Sequence, residues 1–447
     1  MKKRLEGEHI LVVGFYRTGL QTANFLLSRG IRVSITDIKS EQELAGDREK
    51  LLKPVENFFT GNQTPDQLKG IDRIILSPGV PRIIPLIQKA IEMGIPIWSE
   101  IQLAYNYLPQ DITIIGVTGT DGKSTTVSLI HALLSTTYRT FLCGNIGTPF
   151  ISFIPEIQPC DKVVLELSSY QLEDNESFRC DIACILNISE DHLDRYPSLD
   201  AYMSAKENIL KMQNKTGIAV LNADSEYFER QKEWVHGKLV AFSRLQKNQI
   251  AIIDNNNIIY NKEHICPIDT IKIKGVHNLE NALCAVAVAK ELNVSAQNLS
   301  KVLQEFAGLE HRNEHVAVVN GVEFINDSKA TTVNAVRKAI ESQVKPVVLM
   351  LGGRDKGLDF SKLNDLLPGR VKHIVYFGEA RNKIAGEIGT GISFDIVQGF
   401  REAVETGYKR AENGDAVLLS PGCTSWDEFK SYAERGEVFK KIVRELK

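Results

Sequence analysis

Residues Asp111–Leu134 read DITIIGVTGTDGKSTTVSLIHALL, and the order of that stretch decides the fold. Asp111 to Thr118 is an apolar run of strand length, and Val127 to Leu134 has helical spacing. Between them lie Gly116, Gly119 and Gly122, followed at once by Lys123, Ser124 and Thr125. A strand that passes through a glycine-rich loop into a helix is the repeating unit of a parallel α/β sheet. Such a loop can wrap its backbone N–H groups around phosphates, and the helix N-terminus adds favourable partial charge. Lys123 would reach the β- and γ-phosphates of a nucleotide, and the Ser124 hydroxyl would ligate Mg²⁺. The span from Gly116 to Gly122 is one residue longer than the generic phosphate-loop pattern, so Val117 stands where that pattern has glycine. A bare glycine turn is the alternative reading; the Gly-Lys-Ser-Thr run directly after an apolar strand argues against it.

Outward from this loop the alternation continues. Upstream, His9 to Gly14, Ile31 to Asp37 and Arg73 to Gly79 read as strands, and Thr18 to Arg29 reads as a helix closed by Gly30. Downstream, Lys162 to Ser168 and Ala183 to Asn187 read as central strands, and residues 215–275 carry the turn and strand signals of a small β element. A third group comprises Gly321–Asn326, Pro346–Gly352, His373–Gly378 and Ala416–Ser420. With 447 residues and roughly 150 per domain, the expected fold is α/β with three domains. These are a Rossmann-like N-terminal domain (1–105), a central P-loop-type ATPase domain with a parallel sheet plus a small β element (106–309), and a Rossmann-like C-terminal domain (310–447).

Composition narrows the class. A formal net charge of -3 gives no basic excess for a nucleic-acid partner. No run of 18 apolar residues is present and no apolar segment follows Met1–Arg4, so neither a membrane span nor a secretory leader is expected. The seven scattered cysteines read as reduced thiols, which fits a cytoplasmic chain. Gly14-Phe15-Tyr16-Arg17-Thr18-Gly19 followed by Asp37 looks like a dinucleotide fingerprint, but Tyr16 stands where the second glycine should admit a pyrophosphate. That bulk counts against a nicotinamide-dependent oxidoreductase.

The loop Gly116–Thr125 resembles the nucleotide loop of the Mur ligase family, which also includes folylpolyglutamate synthases. Four further segments match that family in order: Glu166-Leu-Ser-Ser-Tyr-Gln-Leu-Glu173, Asn187-Ile-Ser-Glu-Asp-His192-Leu-Asp-Arg-Tyr196, His277-Asn278-Leu-Glu-Asn281-Ala282 and Leu309-Glu310-His311-Arg312. Asn326-Asp-Ser-Lys-Ala-Thr331, Leu351–Gly357 and Ser420–Phe429 resemble the members that add D-glutamate. Members that add other residues carry an Asp-Tyr-Ala-His type segment instead, and the Asp-Asn-Pro-Arg mark of diaminopimelate addition does not occur. The resemblance implies an ATP-dependent ligase of peptidoglycan synthesis, joining D-glutamate to UDP-N-acetylmuramoyl-L-alanine through an acyl phosphate. It also implies ATP and Mg²⁺ at two sites as cofactors, and a monomeric chain. A folylpolyglutamate synthase-like ligase is the rival within the family, and a non-enzymatic nucleotide switch the rival outside it.

The resemblance assigns roles residue by residue. Gly119, Thr120, Asp121, Gly122, Lys123, Ser124 and Thr125 would hold the phosphates, with Lys123 on the γ-phosphate. Ser124, Glu166, His192 and a carbamylated Lys206 would hold metal. Asn278 and Asn281 would contact adenine, Arg312 and Asp327 would reach the nucleotide, and Lys329 would steady the reacting phosphoryl oxygens. Arg17, Thr18, Asp37, Ser77, Gly79 and Asn145 would bind the UDP-substrate, and Thr331, Lys356, Ser425 and Tyr432 would bind D-glutamate. The family often has a glycine at the position of Tyr16, so the N-terminal loop departs from the usual form.

Overall fold

The computed structural model describes residues 5–191, 195–273, 275–389 and 391–446, and it sorts the apolar runs into three sheets. The first contains β1 (His9–Val13), β2 (Arg32–Asp37), β3 (Asn57–Thr60), β4 (Arg73–Leu76) and β5 (Ile97–Ser99). Its order is β3-β2-β1-β4-β5 and every pair is parallel. All five residues of β1 are buried, as a strand covered on both faces requires. The strand order reverses between β1 and β4, which opens a crevice at their C-terminal ends.

The second sheet contains β6 (Thr113–Thr118), β7 (Thr140–Gly144), β8 (Lys162–Glu166), β9 (Ile182–Ile185), β10 (Ile218–Asn222), β11 (Lys238–Ser243), β12 (Ala251–Asp254), β13 (Asn257–Tyr260) and β14 (Glu263–Pro267). Its order is β14-β13-β12-β11-β10-β9-β6-β8-β7. The strands from β7 through β12 pair in parallel, and β13 and β14 close the edge antiparallel. The β element expected at 215–275 therefore extends the main sheet. Its hairpin turns at Asn255 and Asn256, whose φ of 45° and 62° suit the left-handed turn that matches strand twist.

The third sheet contains β15 (Glu314–Val319), β16 (Val322–Asn326), β17 (Val347–Gly352), β18 (Val371–Phe377), β19 (Ser393–Ile396) and β20 (Ala416–Gly422), in the order β15-β16-β20-β17-β18-β19. All pairs are parallel except β15 with β16. The chain forms two compact units, Met1–Phe306 and Ala307–Lys447.

Within the first unit the two sheets share a core cluster that runs from Phe25 and Trp98 to Phe141, Phe150 and Leu221. Polar groups fix the join. The buried Gln102 Oε1 accepts the N–H groups of Glu176, Ser177 and Phe178 at 2.8, 2.8 and 2.9 Å. Each such bond contributes about 1 kcal/mol net, and each buried donor left unpaired would cost more.

The helix after β1, Arg17–Ser28, ends as its sequence suggests. Gly30 (φ 72°) donates to the Leu27 carbonyl and Ile31 to the Leu26 carbonyl, which satisfies the last turn. Its start is tighter, because a Cβ at Gly19 would lie 1.9 Å from the Gly14 carbonyl oxygen. Gly19→Ala should therefore push the helix off the β1 turn and destabilise the first unit by about 1–3 kcal/mol, read as a lowered denaturant midpoint at unchanged slope.

Candidate functional site

β6 leads into the glycine loop, and the helix Lys123–Leu134 starts four residues earlier than its apolar spacing suggests. Gly122 provides the entry as a left-handed N-cap (φ 78°), and a Cβ there would meet Asn281 Oδ1 at 2.3 Å. Polar Lys123 to Thr126 form the first turn, with Ser124 buried and Thr125 half-buried. The loop backbone is braced from β9's exit: Thr120 N donates to the Asn187 carbonyl (3.0 Å) and Asp121 N to Asn187 Oδ1 (2.8 Å). Lys123 Nζ donates to the carbonyls of Gly119 (2.9 Å) and Thr120 (2.7 Å), so its ammonium sits inside the loop. Asn281 accepts from Thr126 Oγ1 at 3.1 Å and donates to Asn278 Oδ1 at 3.2 Å. The two asparagines share a face as their spacing suggests, with Asn281 packed on the loop.

Glu166 ends β8 and is 3% exposed. Its Oε1 accepts from Asn145 Nδ2 at 2.9 Å, and its backbone carbonyl accepts from Asn145 N at 2.9 Å. Its Oε2 is buried with no hydrogen-bond partner among the described residues. A buried carboxylate oxygen left bare is costly unless a cation faces it, and oxygen donors suit Mg²⁺. These residues therefore fit a metal ion: Glu166, with the Ser124 hydroxyl on the facing helix turn, could hold one beside the phosphates. His192 lies outside the described residues.

Lys206 lies on the helix Leu199–Lys211 and is 2% exposed. Its Nζ donates to the Gly119 carbonyl at 2.7 Å and lies 4.6 Å from the Tyr202 ring centroid. Burial, and then the nearby Lys123 charge, hold its amine well below the usual lysine range. Lys206 reads as a surface lysine in the sequence, but the structure puts it on the phosphate loop.

In the N-terminal sheet the residues expected to bind substrate cluster at the crevice, but several are engaged by the loop itself. Asp37 is buried and accepts from Phe15 N (2.5 Å) and Lys39 N (2.9 Å). Ser77 Oγ donates to the Gly14 carbonyl at 2.9 Å. Arg17 is exposed and Thr18 half-buried in the first helical turn. Gly79 borders a cavity of about 400 Å³, shared with Arg82, Tyr170, Glu173 and Arg195. Arg195 stacks on Tyr170 at 3.8 Å and donates to the Pro78 carbonyl at 3.2 Å.

In the second unit the expected residues follow three adjacent strands, β16, β20 and β17, at their C-terminal ends. Asp327 is buried; its Oδ2 accepts from Ser420 Oγ (2.8 Å) and its Oδ1 from Asn313 N (3.1 Å). Burial pushes its carboxyl up to about 7, and the Ser420 and Asn313 hydrogen bonds and the charges of Arg312 and Lys329 only partly oppose this. Arg312 is half-buried, and Lys329 Nζ lies 5.8 Å from the Tyr432 ring centroid. Thr332 caps the helix Val333–Glu341, and Thr331 immediately precedes the cap. Lys356 lies 6.0 Å from the Trp426 ring centroid, beside the buried Ser425. Tyr432 opens the helix Tyr432–Glu445 and is 39% exposed.

Sequence reasoning missed Arg435, one turn further along that helix and fully buried. Its guanidinium donates to Ser328 Oγ and to the carbonyls of Ser328, Cys423 and Thr424 at 2.9–3.3 Å. It thereby fixes the loops after β16 and β20 to each other. No local pattern marks a lone arginine in an amphipathic helix as buried.

Comparison with known proteins agrees over the whole chain. Residues 8–99 match the Mur ligase MurD-like N-terminal domain, 117–289 the Mur ligase middle domain, and 311–423 the Mur ligase glutamate ligase domain. The UDP-N-acetylmuramoylalanine–D-glutamate ligase of Koribacter versatilis is 39% identical over 448 residues, covering 99% of this chain and 98% of its own. The enzyme of the same name from Clostridioides difficile is 37% identical over 456 residues, covering 99% and 100%. Among solved structures, the UDP-N-acetylmuramate-alanine ligase of Thermotoga maritima shares the fold, with a TM-score of 0.60 at 19% identity over 98% of this chain and 100% of its own.

The buried Asp327 has a measurable signature. Its folded-state pKa is raised, so its contribution to stability is complete below 3.8 and is lost as pH rises to about 7. Asp327→Asn cannot ionise. Thermal melts of both proteins should show the variant gaining on the wild type across that window, and parallel curves would contradict the assignment.

Proposed function

The chain belongs to the Mur ligase family, and we propose that it joins D-glutamate to UDP-N-acetylmuramoyl-L-alanine at the expense of ATP, a cytoplasmic step of peptidoglycan synthesis carried out by the monomer. The observation that carries this reading is the end-to-end match to D-glutamate ligases at 39% and 37% identity. The N-terminal match over residues 8–99 favours it over a folylpolyglutamate synthase, which lacks a UDP-binding unit.

A carboxylate resists attack by an amine, so it must first be activated. The alanyl carboxylate oxygen attacks the γ-phosphorus of ATP, the bond to the β-bridging oxygen breaks, and ADP leaves with that electron pair. The D-glutamate nitrogen then attacks the acyl carbon, the C–O bond to phosphate breaks, and inorganic phosphate departs as the amine sheds its proton. Both steps concentrate negative charge on phosphoryl oxygens, and fixed cations in a dry site lower that barrier.

Lys123, already inside the loop, answers the charge on the γ-phosphate, while the amides of Gly119 to Thr125 surround the rest. Mg²⁺ bound by Ser124, Glu166 and, at a second position, His192 would neutralise phosphate charge. Lys206, shifted by burial toward the neutral amine, would have the lone pair needed to react with CO₂; its carbamate would be a metal-orienting anion. Asn278 and Asn281 flank the adenine side, while Arg312, Asp327 and Lys329 supply the nucleotide and phosphoryl contacts of the C-terminal unit. Thr331, Lys356, Ser425 and Tyr432 offer a cation and hydroxyls for a dicarboxylate. Arg17, Thr18, Asp37, Ser77, Gly79 and Asn145 serve the UDP-substrate.

Phosphate release from ATP and Mg²⁺ with UDP-N-acetylmuramoyl-L-alanine should require D-glutamate and match formation of the UDP-dipeptide. L-glutamate, L-lysine and meso-diaminopimelate should not substitute, and turnover with any of them would overturn the amino-acid assignment. Lys123→Ala should lower the rate by about 100- to 1000-fold. Turnover should also fall in CO₂-depleted buffer and return with bicarbonate, and a rate indifferent to CO₂ would count against the Lys206 carbamate.

A further inference from the structure

The departure at Tyr16 has a structural counterpart. Where a dinucleotide loop keeps a small residue, this chain has a tyrosine that is 68% exposed and makes no side-chain capping bond to its helix. Lys39 Nζ lies 5.2 Å from the Tyr16 ring centroid, which brings the exits of β1 and β2 together. Between them Ile38 is 76% exposed, and Arg17 is exposed as well. A scattered exposed aromatic is ordinary; a tyrosine, an isoleucine and two cations gathered at the ligand-binding end of a parallel sheet are not explained by packing.

Two of the polar groups expected to read the ligand here already carry bonds within the loop. Both Asp37 carboxylate oxygens accept backbone N–H groups, from Phe15 and Lys39, and the Ser77 hydroxyl holds the Gly14 carbonyl. Phe15 is fully buried and packs edge-on against Phe58 with centroids 5.1 Å apart. The loop is thus rigidly braced from below, and the side chains it presents outward are Tyr16, Arg17, Ile38 and Lys39. An open ring face beside two cations complements one chemistry: a planar base joined to a diphosphate.

We propose that Tyr16, flanked by Ile38 and Lys39, is a stacking platform for the base of the nucleotide-sugar substrate, with Arg17 and Lys39 facing its diphosphate. The proposal rests on the reading of the N-terminal unit as the UDP-binding one. Lys39 covers one side of the ring electrostatically and leaves the aromatic surface for the uracil. Stacking is tolerant of base identity, so Tyr16 supplies affinity that a glycine at this position could not, and the backbone sets the register.

The test is calorimetric titration of the full chain with UDP, using wild type, Tyr16→Leu and Tyr16→Phe, with a non-hydrolysable ATP analogue as control ligand. Leucine keeps the backbone restrained and the bulk apolar while removing the ring. Tyr16→Leu should weaken UDP by roughly 5- to 100-fold, as loss of one stacked base does. Tyr16→Phe should bind like wild type; in Tyr16→Leu the ATP-analogue affinity and melting temperature should be unchanged, and the KM for the UDP-substrate should rise with kcat within about twofold. Equal UDP affinity for Tyr16→Leu and wild type would overturn the platform and leave the ligase reading intact. A loss in Tyr16→Phe as large as in Tyr16→Leu would overturn stacking in favour of the phenolic hydroxyl. Failure of the wild type to bind UDP would overturn both the platform and the assignment of this unit.

Discussion

Two lysine amines meet on one carbonyl oxygen. Gly119 accepts from Lys123 and from Lys206 at 2.9 and 2.7 Å, in a setting that buries Lys206 almost completely. Two ammonium groups on one buried acceptor repel each other, and burial, then the Lys123 charge, shifts the Lys206 amine toward its neutral form. That shift favours a nucleophilic amine directly on the glycine loop. The other parts of the central site follow from it. The loop must curl so that Gly119 offers its carbonyl inward, Asn187 must brace the amides of Thr120 and Asp121, and Asn281 must stand against Gly122 where no side chain fits. Glu166, one strand away, keeps a buried oxygen that has no partner among the described residues as the negative counterpart.

The three sheets repeat one solution at different scales. In each, the candidate site residues leave the C-terminal ends of neighbouring parallel strands, where loops are free to vary while the buried strands hold register. β1, β2 and β4 present Tyr16, Lys39 and Ser77; β6, β8 and β9 present Lys123, Glu166 and Asn187; β16, β17 and β20 present Asp327, Lys356 and Ser425. What differs is the brace beneath. It is a buried aspartate under the first loop, an asparagine under the second, and the Arg435 guanidinium between the loops of the third.

The central strands were legible because a parallel strand buried on both faces is apolar throughout, as in Ile114 to Val117 or Val347 to Leu351. Edge strands were not. β19 (Ser393–Ile396) is largely exposed, so it carries no continuous apolar run, and β3 and β7 are too short or too mixed to stand out. Helix starts are hard to read where the first turn is polar, as at Lys123–Thr126. The candidate site residues were legible as motif members, but their burial was not. Lys206 sits among helix-forming residues that give no hint of the loop above it. Asp37 and Asn145 read as ligand contacts, and the structure adds that their side chains also hold the loop and Glu166. A sequence names the groups at a site; which of them are already committed to one another depends on contacts far apart along the chain.

The join at Gln102 has a thermodynamic corollary. Because the first and second sheets share a core cluster and are tied by three backbone N–H groups on one amide, neither can open without exposing the other. The third sheet carries clusters of its own, around Val336 and Leu349 on one face and Phe324 and Phe439 on the other. Cooperativity should therefore follow cores and not domain count. A heat-capacity trace is expected to resolve two unfolding transitions for three sheets, with the N-terminal and central parts melting as one.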